Sequence, residues 1–225
     1  MKKLFYTAGI FIALNSACSE SQTPSAVIFA NPQPEDGMVL RKFPISLLGE
    51  YISDKDSNSL VIQPEGIFRY VHYKKNAHVN QLDSGDVLIG DSVIRDTEWN
   101  LNFPVKRVGD TVYFELNTVD TLFLLSADHM LRKSRDTYIL NRRQEKGWKV
   151  VKLEKKNKQL IWASVSENEA DHLKKLSDNY IDSVPYEFHL SASKFREFLK
   201  ADGFQDTDTF KAKSRRKKAY NRINK

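Results

Sequence analysis

The chain contains a single cysteine, Cys18, among its 225 residues. One cysteine cannot form a disulfide within a chain, and it cannot supply the several thiolates that a structural zinc site takes. Beyond residue 17 the sequence also has no apolar run near the roughly 20 residues that a membrane-spanning helix needs. A disulfide framework, a thiolate metal centre and a later transmembrane helix are therefore excluded.

The sequence also lacks the common catalytic and cofactor motifs. It has no HExxH, GxSxG or GxGxxG motif and no phosphate-binding loop, and no two of its histidines have the i,i+4 spacing of a helical zinc site. Asp83, Asp86 and Asp91 flank two glycines, but Ile94 stands where a calcium loop ends in glutamate. We therefore expect no catalytic residue, no metal and no cofactor.

One enzyme class stays open in spite of these absences. Paired carboxylates for glycoside hydrolysis can come from any part of a chain, so no motif excludes them. A solvent-facing position is the ordinary explanation for each carboxylate of this kind. Four glutamates lie in or beside the predicted strands, namely Glu50, Glu65, Glu98 and Glu115.

The first eighteen residues have the order of a secretory signal. Two lysines precede the apolar stretch 4–14, and small residues lead up to Cys18. This arrangement resembles a bacterial lipoprotein signal, although Asn15 stands where such signals normally have leucine. The resemblance implies a signal peptide of residues 1–17 and a lipid anchor on Cys18. Because serine follows the cysteine, it also implies the outer membrane, at its periplasmic face or at the cell surface. An ordinary secretory signal with an incidental cysteine is the alternative.

The positive net charge of +6 is concentrated at the C-terminus. From Thr209 onward there are eight basic residues and no acidic one, and we predict a basic tail over 211–225. For an exported protein the partner of such a tail is an anionic surface, such as lipid headgroups or lipopolysaccharide phosphates, rather than nucleic acid. A solvated tail without a partner is the alternative. The candidate contacts are Lys211, Lys213, Arg215, Arg216, Lys217 and Lys218.

Composition divides the mature chain into three parts before this tail. Residues 18–41 are polar and contain three prolines, which predicts a lipidated, flexible tether, although 26–29 could dock onto the body. Residues 46–143 contain about eight to ten short strands separated by turns, the pattern of an antiparallel meander barrel or sandwich. Residues 147–210 predict a small β-β-α-β-α module. The predicted fold class is α+β, mostly β.

The start of the strand-rich part carries a further resemblance. Residues 48–51 read Leu-Gly-Glu-Tyr at the opening of a first strand that up-and-down hairpins follow, which is similar to lipocalins, where Gly-x-Trp stands at this place. The resemblance spans about 46–143 and implies either a cup for a small apolar ligand or a filled barrel that acts as a scaffold. Most aromatic side chains are expected in the core. Those that could line a cup or stack on sugar rings are Tyr70, Tyr73, Trp99, Tyr113 and Phe123.

Together these features predict a non-enzymatic lipoprotein of the cell envelope that acts as a binding or assembly component. Its expected partners are the membrane, through the N-terminal lipid, and a small apolar ligand or another envelope protein. The alternatives are an envelope hydrolase that acts on glycans through strand carboxylates, and a pure protein-interaction scaffold.

Overall fold

The computed structural model describes residues 25–56, 58–98 and 100–213. Within these ranges the protein has sixteen strands and two α-helices, which confirms the predicted α+β, mostly β class. The sheet is antiparallel apart from one parallel strand pair, and it is not closed into a barrel. None of the helices in the described ranges is long and apolar enough to cross a membrane. The described residues divide into two compact units, a small unit of residues 70–120 and a large unit of residues 25–69 and 121–213.

The large unit holds most of the strands and both helices. Helix α1 is Ala170–Leu176 and helix α2 is Ala192–Lys200. Two long strands, β5 (Gly66–His78) and β9 (Thr111–Leu124), contribute residues to both units. The other strands of the large unit are β1 (Val27–Phe29), β2 (Met38–Leu40), β3 (Gly49–Ser53), β4 (Ser59–Ile62), β10 (His129–Ser134), β11 (Thr137–Arg143), β12 (Trp148–Lys156), β13 (Gln159–Ser164), β14 (Asn179–Ile181), β15 (Tyr186–His189) and β16 (Asp206–Ala212).

Strand order in the large unit mixes the two sequence regions that were predicted as separate domains. The order is β14-β15-β1-β12-β13-β16-β3-β4-β5, with β11 paired to β12 and to β10, and β10 paired to β2. Arg143 lies opposite Trp148, so the predicted boundary between 143 and 147 falls in the turn between two hydrogen-bonded strands. Strands from 46–143 and from 147–210 are therefore neighbours in one sheet.

Alternation along the central strands divides the core of the large unit into two clusters. Ile139 and Val150 face a cluster that the two helices cover with Leu173, Phe195 and Phe198. Their sequence neighbours face the opposite cluster, because successive strand residues point to opposite sides of a sheet. That second cluster includes Tyr138, Leu140 and Val151, together with Tyr51, Leu60 and Phe123.

The described part of the predicted tether is packed rather than free. Strand β1 is fully buried and pairs in parallel with β15 and in antiparallel with β12. Gln33 and Asn141 are both 0% exposed. The backbone N–H of Gln33 donates to Asn141 Oδ1 at 2.6 Å, and Asn141 Nδ2 donates to the Gln33 carbonyl at 2.8 Å. Arg132 Nη1 donates to three carbonyls of the same segment, those of Pro32, Pro34 and Glu35.

The small unit is a ribbon of paired strands with a modest core. It contains the end of β5, β6 (Asp86–Ile89), β7 (Val93–Asp96), β8 (Leu101–Val108) and the start of β9, in the order β5-β9-β8-β7-β6. Gly109 and Asp110 form the two-residue turn between β8 and β9, and Gly109 has φ +61°. A positive φ at the first turn residue suits a tight hairpin, and glycine adopts it at no steric cost. The buried hydrophobic residues of the small unit, among those described, are Ala77, Ile94 and Val112.

Candidate binding groove

The aromatic residues predicted to line a cup have different environments. Phe123 is a core residue of the large unit, in edge-to-face contact with Phe43 at 6.2 Å between ring centroids. Tyr70 and Tyr113, in the small unit, are 42% and 45% exposed. Tyr73 is half-buried, and Trp99 lies outside the described residues. Of the four described residues, Tyr113 lines the groove described next.

The groove that Tyr113 lines has a volume of about 560 Å³ and lies within the small unit. Alternation places most of its lining side chains on one face of the ribbon. Three other lining residues, Lys75, Val105 and Phe114, alternate with them, so the groove meets the backbone there. The side chains on the open face include Lys74 and Asn76 from β5, Tyr113 and Glu115 from β9, and Lys106 and Val108 from β8.

Strand register brings these side chains together. Lys74 Nζ lies 3.4 Å from Glu115 Oε1, and the His72 ring contacts the Asn117 side chain. A step of two residues forward along β5 and two residues back along β9 leads from the second pair to the first, so both pairs belong to one antiparallel register. The next step of this register places Asn76 opposite Tyr113. On the other side of β9, Lys106 is the direct partner of Tyr113. Tyr113 is thus flanked by an amide and an ammonium group at cross-strand distance, about 4.5–5.5 Å between Cβ atoms.

Charge in the groove is distributed unequally. Glu115 has two basic neighbours, Lys74 at 3.4 Å and His72 Nε2 at 3.7 Å. Lys106 is exposed and has no carboxylate partner among the described residues. Because exposed ion pairs contribute little, Lys74 stays available to a ligand as well. The groove therefore presents an aromatic ring beside an unpaired ammonium group.

The strand glutamates considered for hydrolysis are not gathered in this groove, apart from Glu115. Glu50 lies in the large unit, where Lys213 Nζ donates to its Oε1 at 2.8 Å. That hydrogen bond is the main cause that lowers the pKa of Glu50, against the opposing effect of burial. A general acid in glycoside hydrolysis needs a raised pKa instead.

The aspartates weighed as a calcium loop make different contacts. Asp91 Oδ1 accepts from Arg107 Nη1 at 3.3 Å. Asp86 lies directly opposite Asp96 in the β6–β7 pair. Burial is the main cause that raises the pKa of Asp86, and the charges of Asp96 and Asp83 raise it further. No group of three or more His, Cys, Asp or Glu side chains among the described residues is arranged to hold a metal ion.

The predicted anionic-surface contacts are only partly described. Lys211 belongs to β16, and its Nζ lies 2.9 Å from Asp54 Oδ1. Lys213 pairs with Glu50 at 2.8 Å. Both lysines are thus held by carboxylates of the large unit. The remaining candidates lie outside the described residues, as does the proposed lipid attachment site; they are Arg215, Arg216, Lys217, Lys218 and Cys18.

Sequence reasoning selected Tyr113 and missed its neighbours Asn76 and Lys106. The alternation of β5, β8 and β9 is visible in the sequence, but the register that places these residues side by side is not.

No family model, no curated protein and no solved structure matches this chain.

Proposed function

We propose that this chain is a non-enzymatic lipoprotein of the bacterial cell envelope, anchored through Cys18, that serves as a binding or assembly component. The signal-like N-terminus supports the anchor and the export. By the same resemblance, the outer membrane is the proposed location. The small unit supports the binding role.

The observation that carries the binding role is the unequal distribution of apolar residues in the small unit. Ala77, Ile94 and Val112 are its buried hydrophobic residues, whereas half of the large hydrophobic side chains exposed on the described residues belong to it. Single exposed apolar side chains are ordinary on soluble proteins, but a group of them on a unit with so small a core indicates an interaction surface. The exposed residues are Tyr70, Val87, Ile89, Leu101, Val108, Tyr113 and Val119.

The partner classes follow from the surface and the location. A ligand taken up in the groove or another envelope protein would occupy the small unit. Anionic lipid or lipopolysaccharide remains the proposed partner of the basic residues that follow β16. The lowered pKa of Glu50 suits a carboxylate that stays ionised, which does not fit the general acid of a glycan hydrolase.

The anchor is tested by a Cys18→Ser variant in a bacterial host. We expect the native protein to take up a clickable fatty acid and to fractionate with membranes, because the cysteine sulfur would carry the lipid. The variant should lose the label and move to the soluble fraction. A Ser19→Ala variant is the matched control and should keep both properties. Membrane association of Cys18→Ser at the native level would contradict the proposal.

A further inference from the structure

We propose that the groove of the small unit binds an acidic saccharide, a short sugar chain that carries carboxylate or phosphate groups. This inference rests on the proposed binding function and names its ligand class. Three features of the groove carry it: an exposed aromatic ring, a surrounding set of hydrogen-bonding groups and an excess of ammonium groups.

The aromatic ring is that of Tyr113. It is 45% exposed on β9, and the backbone that carries it is paired with a strand on either side, β5 and β8. The C–H faces of a sugar ring are apolar and pack on the face of an aromatic side chain, while the sugar hydroxyls stay at the edges. Val108 and Pro104 extend the apolar part of the groove beside this ring.

The hydrogen-bonding groups surround Tyr113 on the same face. Asn76 has both donor and acceptor atoms, and Glu115 accepts only. Sugar hydroxyls both donate and accept, so this combination matches them on either side of the ring. An alkyl chain would leave the same polar groups without partners in the complex, which costs affinity.

The charges favour an acidic sugar over a neutral one. Lys106 lies directly beside Tyr113 and has no carboxylate partner among the described residues. Lys74 shares Glu115 with His72. A carboxylate or phosphate near the Tyr113 ring would therefore meet the unpaired ammonium group of Lys106. It could also draw the ammonium group of Lys74 away from Glu115. Such charge-assisted hydrogen bonds are about twice as strong as neutral ones.

The shape of the groove also favours a saccharide over an apolar ligand. Its volume of about 560 Å³ falls within the range of small-molecule sites, about 300–1,000 Å³. It lies on an open sheet face, and an apolar ligand there would keep much of its surface in water. A sugar chain is already hydrated along its edges, so it loses less by binding in an open groove.

The test is calorimetric titration of the mature full-length protein in a neutral detergent with a galacturonic acid trimer. Maltotriose is the neutral control, and sodium acetate at the same carboxylate concentration tests binding of the anion alone. We expect binding of the acidic trimer, at least tenfold weaker binding of maltotriose, and no saturable binding of acetate. The affinity for the trimer should fall with added salt.

Two variants and their matched controls locate the site. We expect Tyr113→Ser and Lys106→Gln each to weaken binding of the trimer by about tenfold, which corresponds to about 1.4 kcal/mol. The controls are Tyr180→Ser, a similarly exposed tyrosine on β14 of the large unit, and Lys175→Gln on helix α1. Both should bind within about twofold of the native protein, and circular dichroism should confirm that all four variants fold.

Absence of trimer binding to the folded protein would overturn the inference, and so would equal losses in the groove variants and their controls. Equal binding of maltotriose would overturn the acidic ligand class. Cleavage of the trimer, detected by mass spectrometry after incubation, would instead contradict the non-enzymatic function. The Cys18→Ser fractionation tests the anchor whatever the outcome of the titration.

Discussion

At the scale of single residues, Gln33 and Asn141 explain why the segment before β2 packs on the sheet. Both are completely buried, and the Asn141 side chain accepts from the backbone N–H of Gln33 and donates to its carbonyl. Gln33 Nε2 also donates to the Leu190 carbonyl at 3.2 Å. Buried polar groups need such partners, because an unsatisfied donor or acceptor costs about 1–3 kcal/mol. A polar, proline-containing composition predicts a tether, but composition does not reveal a partner 108 positions away.

We expect Asn141→Leu to lower the free energy of unfolding by about 2–4 kcal/mol, because it strips the Gln33 N–H and C=O of their partners while filling a similar volume. Urea denaturation measures this loss. Asn102→Leu is the matched control on the exposed side of β8 and should change stability by at most about 0.5 kcal/mol. A loss below about 1 kcal/mol at Asn141, or an equal loss at both sites, would contradict the role given to this pair.

The candidate site could be predicted from the sequence only in part, because the neighbours of Tyr113 depend on strand register. The sequence identified Tyr113 as one of five aromatic residues that could line a cup or stack on sugar rings. Asn76 and Lys106 become its neighbours only through the register of three strands, and single-sequence patterns leave register open. Phe123 follows the same alternation, but the large unit buries it against Phe43.

At the scale of elements, the end of β16 shows that charge composition alone does not locate a strand boundary. Residues from Lys211 onward look like one basic tail, because the sequence contains no acidic residue to interrupt them. In the structure Lys211 and Ala212 continue β16 and lie opposite Ile52 and Tyr51 of β3. The strand boundary is set by pairing with β3 and β13, which are distant in sequence, so charge composition could not locate it.

Two truncations separate the strand from the chain beyond it. Removal of 214–225 should leave the melting temperature unchanged, because β16 stays complete. Removal of 211–225 should cost about 1–3 kcal/mol, since it deletes the backbone hydrogen bonds from Ala212 to Lys158 and from Lys213 to Glu50. The ion pairs of Lys211 and Lys213 are exposed and add little. Thermal unfolding of the two proteins side by side measures the difference, and equal melting temperatures would contradict it. Removal of 214–225, which leaves β16 complete, is therefore the truncation suited to testing anionic-lipid binding.

At the scale of the whole molecule, the two units differ in how they are stabilised. All but three of the buried hydrophobic residues in the described chain lie in the large unit, where two clusters pack on opposite faces of one sheet. The mostly β class was predictable because short alternating strands and turns are local signals. The division at 70 and 120 was not, because it falls inside two continuous strands that carry no linker composition.

This division predicts that the large unit folds without the small one. The contacts of His72 with Asn117 and of Lys74 with Glu115 place Val71 opposite Thr118 by the same offset. A variant in which Asn-Gly replaces 72–117 would therefore close β5 and β9 with a two-residue hairpin turn. We expect it to unfold in a single cooperative transition by scanning calorimetry, because it keeps both large hydrophobic clusters. The same variant with the turn reversed to Gly-Asn is a control for turn strain and should also fold. Non-cooperative melting of both variants would contradict the independence of the large unit. The excised segment alone should stay unfolded, since three buried residues cannot offset the chain entropy of a segment that long.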